Sequence, residues 1–424
     1  MDTVDKKEVS FAERFDLFVG FDWAKDHHNA VPVDPSGKIS GQWEFPDDAT
    51  GWAGFRQKLQ AQVGPDLARV AVAIETSQGP AVGRLLDLGV AVYPLNPKAA
   101  ERYRDRKAPS GVKDDWLDAW SLGDGLRTDG QGWRQLAPED PLSQELRLLC
   151  RDEEGLIEQR TALVNQLQEC LREYYPAALE AFGKWTLPSS WEFVARFPTP
   201  QKLVQAGKRR WEKFLHAHGL YRPQTYALRM EVFARADQFA GRLAVTNAKS
   251  RLAVAIVAQL RALEIQLDQY RQAIETLFAN HPDFDIFDSL PGIGPKLGPR
   301  LASEIGQDRG RFETFQSLQC LSGTAPVTLK SGKGRWVKFR RACNKHLRTA
   351  VHLWAGLSIK TCAWAKAYYD HKREHGKSRS CALRCLGQRW LKILWKMWQS
   401  RTRYDEALHT QNQVKRGSWS INLT

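Results

Sequence analysis

Four acidic residues in the N-terminal part of the chain are of the right type to share a metal: Asp22, Glu75, Asp115 and Asp118. Asp22 closes the apolar run LFVGFD and Glu75 closes VAIE, so each is expected at the end of a strand. Asp115 and Asp118 stand three apart in KDDWLDA and project from one face if that segment is helical. Carboxylates from two strand ends and one helix face can converge on Mg²⁺, which prefers oxygen donors. Two such ions about 4 Å apart would activate the nucleophile and stabilise the leaving oxygen in the cutting of a phosphodiester. Taken singly, each carboxylate reads as solvated surface or a helix cap, and it is the strand-end placement of two of them that argues for a site. Asp114 competes with Asp115 for the third position, being four residues from Asp118.

Two further constellations lie toward the C-terminus. LPGIGPKLGPRLASEIG, residues 290 to 306, has a Pro-Gly-Ile-Gly core between helical stretches. It reads as a helix-hairpin-helix, in which the amides at Gly292 and Gly294, with Lys296, would hold a backbone phosphate without regard to base sequence. Ser331 lies in TLKSGKGRWVKFRR, expected to be an accessible, flexible loop in which Lys330, Lys333 and Arg335 bind phosphate. On local sequence alone, such a serine reads as a phosphate-contacting turn residue. Lys338, Arg340 and Arg341 extend the basic segment, and Asn344, Lys345 and Arg348 introduce a Trp-bearing helix that would support the loop or contact nucleic acid. His27 and His28 read as polar surface.

The bulk properties agree with a polyanionic partner. The 424 residues carry 62 Lys+Arg against 48 Asp+Glu, a net charge of +14, and the sequence pI is about 9.5. No apolar run long enough to span a membrane occurs and the N-terminal MDTVDKKEVSFAERFD lacks a signal-peptide core, so a cytosolic chain is expected. The seven cysteines are odd in number and scattered, which fits reduced thiols. Cys381 and Cys385, near His371 and His375, read as helix packing, and no structural metal is expected.

The elements that must position these residues follow from periodicity. Apolar runs within 17–33 predict a strand hairpin, a third strand is expected at 38–45, and ARVAVAI and VAVYPL read as two more. With a helix over 50–64, this is an α/β domain, assigned to residues 1–130. Long amphipathic helices over 143–175 and 248–278 are expected to pair across a Trp- and Pro-punctuated insertion, forming a helical region at 141–280. The same apolar stripes serve either intrachain pairing or self-association. Residues 284–405 form a mainly helical, basic, Trp-rich domain, followed by a tail at 406–424.

In this order the blocks VGFDWAKDHHNAVPVD, AIETSQGP, KDDWLDA, EQRTALVNQLQECLREYYP, LPGIGPKLGPRLASEIG, RFETFQSLQCLSGTAP, KSGKG and NKHLR resemble the insertion-sequence-110 family of transposases, recombinases guided by a bridge RNA. The resemblance covers most of the chain. It implies an RNase H-like (RuvC-like) N-terminal domain with a DEDD quartet at Asp22, Glu75, Asp115 and Asp118, a coiled-coil middle, and a C-terminal transposase domain. It further implies a Mg²⁺ cofactor, donor and target DNA and a guide RNA as partners, a homodimer or homotetramer, and a place in the prokaryotic cytosol at the nucleoid. The DNA-attacking serine would be Ser331, with Ser322 in CLSGTAP the second choice. The family's Lys-Thr-Asp is here Lys113-Asp114-Asp115, and the middle is enlarged by the segments around Trp185, Trp191 and Trp211.

Three rival functions share some of these features. A RuvC-like structure-specific nuclease would use the quartet to activate water and Ser331 only to contact phosphate. A sugar or acetate kinase of the actin-like class also opens on a strand hairpin bearing an aspartate, but the positive charge and the absence of a Gly-rich adenosine motif argue against it. A scaffold would bind nucleic acid without chemistry.

Overall fold

The computed structural model describes residues 11–107, 114–332 and 334–415, which fall into two compact units, Met1–Pro138 and Glu139–Thr424. Lys333, one of the basic residues of the Ser331 segment, lies outside the described residues.

The first unit is built on a five-stranded sheet of order β3-β2-β1-β4-β5. β1 (Leu17–Asp22), β2 (His27–Val33) and β3 (Trp43–Pro46) form an antiparallel meander. β4 (Val70–Ile74) lies parallel to β1, and β5 (Ala91–Pro94) parallel to β4. β1, β4 and β5 are near-continuously apolar because both sheet faces are covered there, whereas the edge strand β3 alternates buried and exposed residues. Leu17, Val19 and Phe21 of β1 and the odd-side partners Val70, Val72 and Ile74 of β4 pack against α1 (Ala49–Val63) and α2 (Pro80–Asp87). The other face, with Phe18, Ala71 and Ala73, is covered by Leu122 and Leu126 of α4 (Asp115–Asp129), which follows α3 (Pro97–Lys107). The third strand is shorter and later than the expected 38–45; Ile39 makes only an isolated bridge to Val33.

Close approach of α4 to β1 depends on small residues on both sides. A Cβ on Gly20 would lie 1.5 Å from the Ala119 carbonyl oxygen and 2.6 Å from the Gly123 nitrogen, a gap no side-chain rotation can open. Gly20→Ala is therefore expected to force α4 off the sheet, costing about 3 kcal/mol or more and lowering the melting temperature by roughly 10 °C. Calorimetry of the full chain checks this, and an unchanged first-unit transition would contradict the packing.

The second unit is helical except for one hairpin. α5 (Pro141–Tyr174) and α10 (Leu243–Ala279) run antiparallel: Arg160 meets Glu264 at 2.9 Å and Lys249 meets Glu173 at 2.6 Å. Between them lie α6 (Pro176–Ala181), α7 (Pro188–Arg196), α8 (Pro200–Ala217) and α9 (Pro223–Ala234), each opening on a proline, whose missing N–H costs nothing at a helix start. The enlarged middle is thus a second hydrophobic core wedged on the α5/α10 pair. Trp185, Trp191 and Trp211 are buried in it, and the Trp191 and Trp211 indoles donate to the Trp185 and Leu203 carbonyls at 2.7 Å.

The other core gathers the lower ends of α5 and α10 with α11 (Phe284–Asp288), α12 (Gly294–Ile305), α13 (Phe315–Leu321), α14 (Lys345–Thr361), α15 (Ala363–Glu374) and α16 (Arg379–Ser400). α17 (Glu406–Lys415) ends the described chain. Between α13 and α14 the chain forms β6 (Val327–Ser331) and β7 (Gly334–Lys338), an exposed antiparallel ribbon. All seven cysteines are free. Among the described residues no helix is long and apolar enough to cross a membrane.

Candidate active site and nucleic-acid interface

Strand register brings two of the four carboxylates together. Phe21 of β1 pairs with Ile74 of β4 in parallel, so Asp22 and Glu75 are the next residues at the carboxyl ends of neighbouring strands. Phe21 and Ile74 face the α1/α2 core, and side chains alternate along a strand, so Asp22 and Glu75 belong to the α4 face. α4 crosses that face antiparallel to β1, with Leu122 and Leu126 beside Phe18 and Ala119 beside Gly20. Its first turn, with Asp115 and Asp118, therefore lies at the strand end that carries Asp22.

The cluster is not closed around a common point. Among the described residues no three acidic, His or Cys side chains converge closely enough to hold a metal ion. Asp118 is instead bound by Arg104 of α3, whose guanidinium lies 3.1 and 3.2 Å from its two carboxylate oxygens. That bond, against the opposing effect of burial, raises the Arg104 pKa above its ordinary value. Asp114 caps α4, its carboxylate accepting from the Trp116 N–H at 3.4 Å, while Asp115 is exposed in the first turn. The cap is a local task that separates Asp114 from Asp115. Carboxylate donors are of the type that suits Mg²⁺, and in this structure those of Asp118 are taken by Arg104.

Two residues near this cluster carry no sequence signal. Asn29, buried, lies opposite Asp22 in the β1/β2 register and so shares its face. Arg104 sits in a run of charges on α3 that reads as an ordinary solvated face. Further along α4, buried Asp124 is bound by Lys107 and Arg127, each at 2.6 Å. Burial pushes its carboxyl up, but those two bonds prevail and hold it below the usual range. His28 is not polar surface: it is buried among Phe21, Phe45 and Trp52, 3.3 Å from Asp47. Burial, partly offset by Asp47, holds its imidazole below the usual pKa.

Ser331 is exposed at the end of β6, opposite Gly334 in the β6/β7 register, rather than in an irregular loop. Val327, Thr328 and Val337 favour extended backbone, and a short turn rich in glycine between them is a hairpin signal. Cross-strand pairs alternate faces, which places Ser331 with Leu329, Trp336 and Lys338, and Lys330 with Arg335 on the other side. Trp336, 53% exposed, lies so close over Gly334 that a Cβ there would meet its ring at 2.5 Å. Ser322, by contrast, is fully buried at the end of α13, bonded at 3.1 Å to the Gln319 carbonyl and to the Thr324 hydroxyl.

The 290–306 segment forms the tight turn that follows α11 and the whole of α12. Gly292 has φ +78, and a Cβ there would lie 2.7 Å from the Ser358 nitrogen of α14, so this glycine permits helix packing. Gly294, Pro295 and Lys296 are exposed, and α12 starts without a side-chain cap. Asn344 caps α14, its oxygen accepting from Leu347 N–H at 3.0 Å while its amide donates to Glu304 at 2.6 Å. Burial raises the Glu304 carboxyl, but Arg151 and Asn344 outweigh it and hold its pKa low. Arg300 joins the same network through Glu153 at 2.8 Å. The start of α14 is thereby fixed to α5 and α12, leaving Lys345 exposed and Arg348 half-buried beyond it. Among the described residues Lys330, Arg335, Lys338, Arg340, Arg341, Lys345 and Arg348 form no ion pair, an uncompensated positive surface.

Two family models match the chain: a DEDD-type IS110 transposase over residues 19–176, and the transposase family IS116/IS110/IS902 over residues 285–370. Over 395 residues the chain is 35% identical to the mini-circle putative transposase for IS117 of Streptomyces coelicolor, covering 92% of this chain and 95% of that protein. It is 25% identical over 404 residues to the uncharacterized 43.6 kDa protein of insertion element IS110 from the same species, covering 92% and 96% of the two chains. To the uncharacterized 42 kDa protein of insertion element IS900 from Mycobacterium paratuberculosis it is 29% identical over 276 residues, or 64% and 68% of the two chains.

Proposed function

The chain belongs to the IS110 family of transposases, and from that premise we propose that it cuts and rejoins DNA through a phosphoserine on Ser331, assisted by Mg²⁺ at Asp22, Glu75, Asp115 and Asp118 and guided by a bridge RNA. The observation that carries this reading is the contrast between its two serines: Ser331 is exposed at the tip of a basic ribbon, and Ser322 is enclosed. The sheet order supports an RNase H-like reading of the first unit, and the antiparallel α5/α10 pair supports a coiled coil. The domain reading is a catalytic 1–130, a helical middle 141–280 and a transposase domain 284–405.

In the first step the Ser331 Oγ–phosphorus bond forms and one strand P–O bond breaks. The serine proton passes to the departing strand oxygen. A hydroxyl of another strand then attacks the phosphoserine: the new P–O bond forms, the Ser331 Oγ–phosphorus bond breaks, and the proton of the attacking hydroxyl passes to Oγ, so no hydrolysis occurs. Asp22, Glu75, Asp115 and Asp118 would hold the Mg²⁺, which when bound would supply Lewis-acid activation and charge stabilisation at the phosphodiester. Lys330 and Arg335, on the face of the ribbon opposite Ser331, are donors without acceptor capacity when charged, so they hold neighbouring phosphates and do not deprotonate the serine. The exposed amides at the start of α12, with Lys296, and the cations of the ribbon and of α14 hold neighbouring phosphates. The attacking and acidic groups act on one phosphodiester, drawn from one chain or from two copies in a dimer or tetramer.

The test is to trap the reaction on a nicked or mismatched target with guide RNA and Mg²⁺ and to map the DNA-linked peptide by mass spectrometry. The adduct is expected on Ser331. An adduct on Ser322 overturns the residue assignment, and cleavage to free ends without an adduct favours a nuclease that activates water.

A further inference from the structure

Past β7, at the base of the ribbon, lies a cavity of about 290 Å³ walled by Phe339, Arg348, His352, Leu353, Leu383 and Arg384. Two guanidiniums converge on one ring there: Arg384 lies 4.4 Å and Arg348 5.5 Å from the Phe339 centroid. Among the described residues neither arginine has a carboxylate in ion-pair range. One cation on an aromatic face is an ordinary stabilising contact worth about 0.5–1 kcal/mol where exposed. A second like charge beside it, with no acid to neutralise either, is unfavourable until an anion enters. Arg384 and Arg379 also act on His352, whose imidazole is held below its usual pKa first by burial and then by these two charges. Val351, Leu353 and Leu383 add an apolar stretch to the wall beside Thr324 and Thr349, and Phe339 and Leu353 are 41% and 45% exposed, a surface suited to a sugar or base beside the phosphate.

We propose that this pocket grips one phosphodiester of the DNA strand that Ser331 cuts, no more than about five nucleotides from the scissile phosphate, taking that strand to advance about 3.4 Å per nucleotide. The span is set by the ribbon: Gly334 pairs with Ser331, and from 334 to 339 the extended chain rises about 17 Å. The inference rests on Ser331 as the attacking residue, and the charge complementarity of the two unpaired arginines names the ligand.

The test uses the full chain with its co-purifying RNA and a duplex carrying the mapped cleavage site, in which single phosphates are replaced one by one by neutral methylphosphonate. In the wild type, one substitution within about five nucleotides of the cut should weaken binding about tenfold. Arg384→Ala should weaken binding of the unmodified duplex about tenfold, lower the salt slope by about one unit, and make that same substitution silent. Arg348→Ala, which removes the second guanidinium from the same ring, should behave alike and serves if the first variant does not fold. Identical interference patterns in wild type and both variants overturn the proposal, as does an Arg384-dependent phosphate far outside the window. Protection of the pocket by inorganic phosphate with DNA affinity unmoved by either variant assigns it to a free anion and also overturns it. If the Arg384-dependent phosphate is found but no adduct forms at Ser331, the serine reading fails and the contact stands.

Discussion

Ser331→Ala should abolish strand cleavage and the covalent adduct together, lowering the cutting rate by about 10³-fold or more, while leaving DNA affinity within about twofold. A serine hydroxyl is the atom that forms the new bond, and no other hydroxyl of the ribbon tip can replace it, since Ser331 stands opposite Gly334. The substitution removes one exposed hydroxyl from a hairpin whose strands are already solvent-facing, so the fold should be unaffected. Binding should survive because the uncompensated cations on the ribbon and α14 supply it. Single-turnover cleavage and a filter-binding titration on the same preparation measure both quantities. A variant that still cuts at near wild-type rate would make Ser331 a phosphate contact and return the chemistry to a metal-activated water.

Asp22→Asn and Glu75→Gln should each reduce cleavage by about 10³-fold at saturating Mg²⁺, an effect of about 4 kcal/mol on the barrier. Both keep side-chain size and remove the charge. The two carboxylates stand at adjacent parallel strand ends, so each variant removes one charge from the same end of the sheet. These are cleaner probes than Asp118, whose replacement would also leave Arg104 without its carboxylate. Thermal stabilisation by Mg²⁺ should shrink in both variants, because a ligand that binds only the native state stabilises it by mass action. Normal cutting by either one would show that the acidic residues at these strand ends do not hold the working metal.

Much of the local architecture was legible from residue order. Short continuous apolar runs located β1, β4 and β5, which places Asp22 and Glu75 at strand ends. Apolar periodicity likewise located α5 and α10. The Ser331 ribbon was missed because Val327, Thr328 and Val337 are diluted by Lys and Arg, so its short strands lack a core-facing stripe and read as loop. The tryptophans of the middle region gave no hint of their purpose, since composition cannot distinguish a ligand-facing indole from one that fills a second core.

The amino-acid order by itself determined the element types and their ends, because strand and helix preference, proline starts and side-chain caps act between residues a few positions apart. Only the tertiary structure decided which charges meet: Arg104 with Asp118, Arg300 with Glu153, and Arg348 with Arg384 around Phe339. All three associations join different helices, and the Arg300–Glu153 bond spans 147 positions of sequence. Such pairings depend on how whole elements pack. The same packing decided that Ser331 faces solvent, that Ser322 does not, and that His28 is enclosed by aromatic rings, since burial is a property of neighbours contributed by distant parts of the chain.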